Sequence, residues 1–302
     1  MNDYIEKIEG LDTLSSLEYL DFRNGKRKGR IKKIEGLSNL KNLKDLTFVD
    51  QPISKIEGLD NLSSLKSLSI IRTKIKKIEG FDNLVNLESL SLSDLNGFED
   101  NNLEIKMSGL ENLKKLESLF LAHNSIKNIS GLSGLHNLLR IDLSDNAIED
   151  FSGLNEAVNL EKVVLINNEI KKIEGLSLPK LKKLDLSFNN FQKFSDISLC
   201  NLKNLQELNF ESEYFYETFS EQKGIAELGC LDNLRELVIA GTAIDSISGY
   251  EQLENLDDII IGGSRFEKMI DRGNEEARKQ YEDFLQFAYK NRLRREGRDK
   301  SK

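Results

Sequence analysis

Apolar residues return along the chain in the order LxxLxL. The pattern stands at Leu17-Leu20-Phe22, Leu43-Leu46-Phe48, Leu65-Leu68-Ile70, Leu87-Leu90-Leu92, Leu116-Leu119-Leu121 and Leu138-Ile141-Leu143. It continues at Leu160-Val163-Leu165, Leu181-Leu184-Leu186, Leu205-Leu208-Phe210, Leu234-Leu237-Ile239 and Leu256-Ile259-Ile261, eleven copies in all with a commonest step of 22 residues. Within LxL, apolar and polar positions alternate, which is the spacing of a strand with one buried face. A polar turn follows, often with asparagine: Asn124, Asn146, Asn168 and Asn189. A buried asparagine there bonds backbone groups of its own and the neighbouring copy. Next come two apolar residues three apart, such as Ile31 and Ile34, then Gly-Leu, and then a run at the same spacing: Leu37, Leu40, Leu43. Steps of three suit a 3₁₀-like or extended turn better than an α-helix. One unit cannot bury its own leucines, so the repeat predicts stacked rungs with parallel strands about 4.8 Å apart.

This pattern resembles the leucine-rich repeat family, in the 22-residue form found in the leucine-rich regulatory subunit of protein phosphatase 1 and in bacterial internalins. The resemblance covers roughly residues 5–264. It implies an α/β repeat fold: a curved solenoid of about eleven rungs, with a parallel sheet on the concave face and a 3₁₀ or irregular convex face. It also implies binding on the concave face, with a protein as partner far more often than a substrate. Gln51, Thr73, Thr242 and Ser264 replace the asparagine in other rungs, so the ladder is expected to run only through the middle.

Solenoid ends need covers. Residues 1–16 read as an N-terminal half-repeat cap and residues 17–264 as the solenoid; residues 265–296 form a C-terminal capping region and residues 297–302 a frayed tail. In the C-terminal region "NEEARKQYEDFLQFAYKNRLRREG" predicts an amphipathic helix N-capped by Asn274, with Ala277, Tyr281, Phe284, Leu285 and Ala288 on one stripe. Insertions fall after strands at 24–30, 94–106 and 211–224, and the last is acidic and aromatic, with Tyr214, Phe215, Tyr216 and Phe219. Loops of this length carry function or fill gaps between rungs.

The chain has 302 residues, a net charge of −8 and a pI near 5.2, which argues against general nucleic-acid binding. No run of 18 apolar residues offers a membrane span. The start, "MNDYIEKIEG", lacks a basic segment followed by an apolar run, so no secretory signal is expected. Cys200 and Cys230 fall in outer turns of adjacent rungs and do not make a disulfide framework; a reducing, cytoplasmic setting is expected. Neither cysteines nor His123 and His136 assemble a metal or nucleophile pattern, and no phosphate-binding glycine loop appears. No cofactor and no catalysis are expected.

The informative residues are those each strand turns outward. Phe120, Val164 and Ile166 supply apolar character beside Arg140, Asp142, Lys162 and Asp185, which suits an interface with a dry centre and a polar rim. Tyr19 and Glu207 extend the surface at either side, and Tyr214, Phe215 and Tyr216 line its edge. The expectation is a non-catalytic scaffold, monomeric alone, that binds a partner protein through the concave face and edge loops. A phosphatase regulatory subunit and a secreted internalin-like adhesin are the alternatives. The Lys-Lys-Ile-Glu charges of "IKKIEG" belong to the solvated outer surface.

Overall fold

In the computed structural model, which describes residues 5–23, 29–95, 109–212, 219 and 224–296, each LxL stretch is a short strand. The chain forms two units, Met1–Leu160 and Glu161–Lys302. In the first, β1 (Tyr19–Arg23), β2 (Asp45–Val49), β3 (Ser67–Ile71), β4 (Ser89–Ser91), β5 (Ser118–Phe120) and β6 (Arg140–Asp142) pair in parallel in chain order. In the second, β7 (Lys162–Val164), β8 (Lys183–Asp185), β9 (Glu207–Asn209), β10 (Glu236–Val238) and β11 (Asp258–Ile260) do the same. Register follows the repeat: Leu46 stands opposite Leu68, and Leu184 opposite Leu208. These inward residues are buried, as are the leucines spaced by three from Leu37 onward.

The spacing of three is a chain of i→i+3 bonds. Leu40 N–H donates to Leu37 O and Leu43 N–H to Leu40 O, both at 3.0 Å, and equivalent pairs recur in both units. This geometry explains why the outer wall advances by one leucine every three residues.

The polar ladder extends beyond the four asparagines. Asn146 donates to Leu121 O (3.0 Å) and Leu143 O (2.9 Å) and accepts from Ile126 N–H (3.0 Å). Gln51 does the same work near the start of the first unit: its Nε2 donates to Phe22 O and its Oε1 accepts from Ile31 N–H, both at 3.1 Å. The expectation of a ladder confined to the middle is corrected here. The longer glutamine fits because residue 29 is glycine; a Cβ at Gly29 would lie 2.0 Å from Gln51 Oε1. Thr73 bonds the other way, donating to Leu95 O of the following rung and accepting from Ile75 N–H of its own, at 3.4 Å each.

A second asparagine column runs along the outer wall. Asn42 donates to Ser15 O (2.9 Å), Asn86 to Ser63 O (2.8 Å) and Asn137 to Lys114 O (2.8 Å) in the first unit. Asn204, Asn233 and Asn255 donate to Pro179 O (2.6 Å), Lys203 O (2.7 Å) and Asp232 O (2.6 Å) in the second.

After β11 come two helices, α1 (Arg265–Asp271) and α2 (Glu275–Arg295). Ser264 caps α1 by accepting from Glu267 N–H at 3.1 Å, and Asn274 caps α2 by accepting from Ala277 N–H at 2.9 Å. Helix α2 buries Ala277, Phe284, Ala288 and Asn291, while Leu285 is 50% exposed. The stripe therefore runs through Asn291 and leaves Leu285 out, contrary to the sequence reading. Tyr250 packs edge-on against Phe284 and Phe287, with ring centroids 5.5 and 5.3 Å away.

Cys200 and Cys230 are joined by a disulfide. This corrects the expectation that the two cysteines do not make a disulfide framework. Stacking of adjacent rungs makes two outer turns, 30 residues apart in sequence, into spatial neighbours.

Candidate partner-binding face

Each strand turns alternate side chains away from the core, and parallel register stacks them into columns. In the first unit one column runs Tyr19, Asp45, Ser67, Ser89, Ser118, Arg140, and the next runs Asp21, Thr47, Ser69, Ser91, Phe120, Asp142. Tyr19 is 57% exposed and Phe120 is 37% exposed. Phe120 stands between Ser91 and Asp142, with Arg140 exposed two residues before Asp142. An apolar ring on a polar sheet is the main exception to this face's serine and threonine character.

In the second unit the columns are Lys162, Lys183, Glu207, Glu236, Asp258 and Val164, Asp185, Asn209, Val238, Ile260. Val164 and Ile166 are half-buried and Ile260 is 41% exposed. Lys183 Nζ lies 2.7 Å from Glu207 Oε1, so β8 and β9 are tied by an ion pair on the outward face. A shallow hollow of 160 Å³ lies over β7–β10, with Lys162, Asp185, Glu236 and Val238 in its lining.

Two aspartates expected to meet a partner are already engaged. Asp142 Oδ1 accepts from Ser144 N–H (3.0 Å) and Ser144 Oγ–H (2.6 Å). Asp185 Oδ1 makes the same two bonds to Ser187, and its Oδ2 accepts from Asn209 Nδ2–H at 3.2 Å. Each ends its strand by holding the backbone two residues on, in the manner of an Asx turn. Arg140 and Lys162 are the more accessible charges of the set. Tyr214, Phe215 and Tyr216 lie outside the described residues. Their neighbour Phe219 is fully buried, with ring centroids 4.3 Å from Phe194 and 5.0 Å from Phe210. That part of the 211–224 insertion fills the core.

Sequence reading missed a column at the strand ends. Asp50, Arg72, Asp94, His123, Asp145, Asn167 and Phe188 all adopt φ between 52° and 58°. Asp and Asn tolerate this left-handed region best; Phe188 holds it against its own preference. Arg72 bridges Asp50 (3.1 Å) and Asp94 (3.0 Å), and these hydrogen bonds hold its guanidinium above the usual range. His123 Nε2 lies 3.4 Å from Asp145 Oδ2, in the same column. Left-handed turns leave no periodic hydrophobic trace, so the only signal was the Asp/Asn bias before each ladder residue. Beside this column in the second unit lies a hollow of 780 Å³, whose lining includes Asn167, Glu169, Lys171, Lys172, Phe188 and Asp196. Among the described residues, no group of three His, Cys, Asp or Glu side chains is placed to hold a metal ion. None of the helices among them is long and apolar enough to cross a membrane.

Residues 114–156 and 158–198 match the family described as leucine rich repeats, in two copies. Residues 114–198 thus carry leucine rich repeats, consistent with the same repeat running through the rest of the chain. An internalin, inlF, from Listeria monocytogenes str. 4b F2365 is 25% identical, over 87% of this chain and 79% of its own, with a TM-score of 0.61. Internalin C2 from the same strain is 28% identical, over 60% of this chain and 76% of its own, with a TM-score of 0.50. The protein in a TLR13–ssRNA13 complex shares the fold at 21% identity and a TM-score of 0.66, over 84% of this chain and 41% of its own. No curated protein matches the sequence.

Proposed function

We propose that this leucine-rich repeat protein is a non-catalytic scaffold that binds a partner protein on the outward face of its strands. The observation that carries this is large apolar side chains exposed on the outward strand faces: Phe120, 37% exposed, in the first unit, and Ile260, 41% exposed, in the column of Val164 and Val238 in the second. Arg140 and Lys162 give a partner its register, because charges at a rim add specificity more than affinity. Glu236 and Asp258 extend the second unit's face with negative charge, which disfavours a nucleic-acid backbone as partner. The test is capture from native lysate. Phe120→Ala should weaken retention at least about tenfold, roughly 1.4 kcal/mol, with the thermal midpoint unchanged. Lys32→Ala with Lys33→Ala should do neither. Loss of capture with the lysine pair, and not with Phe120→Ala, would put the site on the outer wall.

One observation favours the secreted, internalin-like alternative over the cytoplasmic one. The Cys200–Cys230 bond belongs to an oxidising compartment, where such bridges persist. The likeness to two internalins supports the same reading. Alkylation of native cells before lysis tests it: thiols labelled without reduction would return the protein to the cytoplasm.

A further inference from the structure

Charges on this chain are commonly answered from a neighbouring rung. Lys66 meets Glu88 at 2.8 Å, Lys182 meets Glu161 at 2.9 Å, and Arg72 reaches both Asp50 (3.1 Å) and Asp94 (3.0 Å). On the outward face of the second unit the rule holds for β8 and β9, where Lys183 takes Glu207 at 2.7 Å. It fails one strand later. Glu236 and Asp258 are register partners on β10 and β11, so two carboxylates stand opposite each other on adjacent strands. Among the described residues, neither side chain has an ion pair or a hydrogen bond. Like charges directly opposed on a sheet destabilise it, so the fold gains nothing from this pair.

Two residues further along each strand the surface turns apolar. Val238 faces Ile260 in the next column, and Ile260 is 41% exposed. Beyond them stand Ala240 and Gly262, which do not shield it. The rungs stay paired there, with Gly241 N–H donating to Gly262 O at 2.8 Å, and a Cβ at Gly262 would meet nothing within 4 Å. From β9 to β11 the outward strand positions hold Glu207, Asn209, Glu236, Val238, Asp258 and Ile260, with no cation among them.

The two columns fit one kind of occupant. Same-side residues of an extended chain lie about 6.6–6.8 Å apart, which is also the separation of the two columns along β10 and β11. A segment lying lengthwise over these strands therefore sets one side chain over the carboxylates and the next same-side one over Val238 and Ile260. The strands are about 4.8 Å apart, so a single cationic head between them reaches both carboxylates. Arg72 already bridges two aspartates in this manner within the chain.

We infer that the outward face of β10 and β11 receives an extended basic–apolar segment of the partner protein, with Arg or Lys at one position and a large apolar residue two positions away. The inference rests on the reading that a partner protein binds the strand faces, and it adds the chemistry of what binds. The cation relieves the repulsion that the free sheet carries, and the apolar residue covers Ile260.

The probe is a blocked peptide, Ser-Arg-Ser-Leu-Ser-Arg-Ser-Leu-Ser, titrated calorimetrically into the full chain; its alternation serves either direction along the strands. Glu236→Gln with Asp258→Asn should weaken binding at least about tenfold, because the charge-assisted bonds are lost. Ile260→Ser should weaken it about tenfold through lost apolar burial. Glu174→Gln with Glu254→Gln removes the same charge from exposed positions elsewhere and should leave binding unchanged. Without peptide, the Glu236/Asp258 pair of substitutions should raise the thermal midpoint, since it removes the repulsion; a lowered midpoint would mean that these carboxylates serve the fold, against the inference. Equal weakening by both charge-neutral pairs, or equal binding when Ser replaces Leu in the peptide, would reduce the site to general attraction by a chain of net charge −8 and overturns it. Absence of binding overturns it too, while the scaffold reading stands or falls separately on Phe120→Ala and capture. A dimer of the chain alone that dissociates when Glu236 and Asp258 are neutralised would make the occupant a second copy, and also overturns the inference.

Discussion

Replacing Asn189 by alanine tests whether the inner polar ladder holds the rungs together. Asn189 is 3% exposed, accepts from Ile170 N–H at 3.1 Å, and donates to Leu165 O at 2.8 Å and Leu186 O at 3.0 Å. Alanine leaves the Ile170 N–H without that acceptor in a place water does not reach, at about 1–3 kcal/mol. Leu165 O keeps a donor in Asn168 at 3.2 Å, so its loss is partial. Leu186 O loses a net bond of about 1 kcal/mol. The sum is about 2–4 kcal/mol. Asn204→Ala is the control: it deletes one bond to Pro179 O on the exposed outer wall. Water takes its place there, so about 0.5–1 kcal/mol is expected. The chain has no tryptophan, so urea unfolding is followed by far-UV circular dichroism. With a slope of about 2 kcal/mol/M, the two midpoints should differ by roughly 1 M. Amide exchange at Ile170 should rise in Asn189→Ala alone. Equal midpoints and unchanged exchange would mean the inner ladder is no stronger than the outer one.

Leu119→Ala and Leu143→Ala, each emptying a fully buried site, should cost about 2–5 kcal/mol, while outward Ser91→Ala stays within about 0.5 kcal/mol in the same assay. Reduction of Cys200–Cys230, or Cys200→Ser with Cys230→Ser, should lower stability by about 3–4 kcal/mol, the loop-closure term for a separation of 30 residues; an unchanged midpoint in dithiothreitol would show that the bond does not constrain the unfolded chain. Gly58→Ala should destabilise more than Gly175→Ala, because both sit near φ +70° but only at Gly58 does a Cβ meet a backbone oxygen, Ile34 O at 2.3 Å. Thermal midpoints of the pair decide it.

The period of the leucines fixed the strands, their register and the outer 3₁₀ wall. Strand alternation and a step of three are local chemistry that every rung repeats. The sequence also placed the outward columns, because side-chain direction alternates strictly along a strand. Asn274 announced α2 in the same local way. What sequence could not supply depends on which residues meet across rungs. Gln51 joined the ladder only because Gly29 in the preceding rung leaves it room. Phe219 became core only because Phe191, Phe194 and Phe210 converge on it from separate stretches of chain. Cys200 met Cys230 because adjacent outer turns stack. Asp142 and Asp185 read as free charges, yet each is held by a serine two residues on. Leu14 and Leu40 occupy the same place in the repeat, yet Leu14 is 44% exposed and Leu40 fully buried. Burial belongs to the stack, and a pattern repeated in every rung does not record how far each rung is covered.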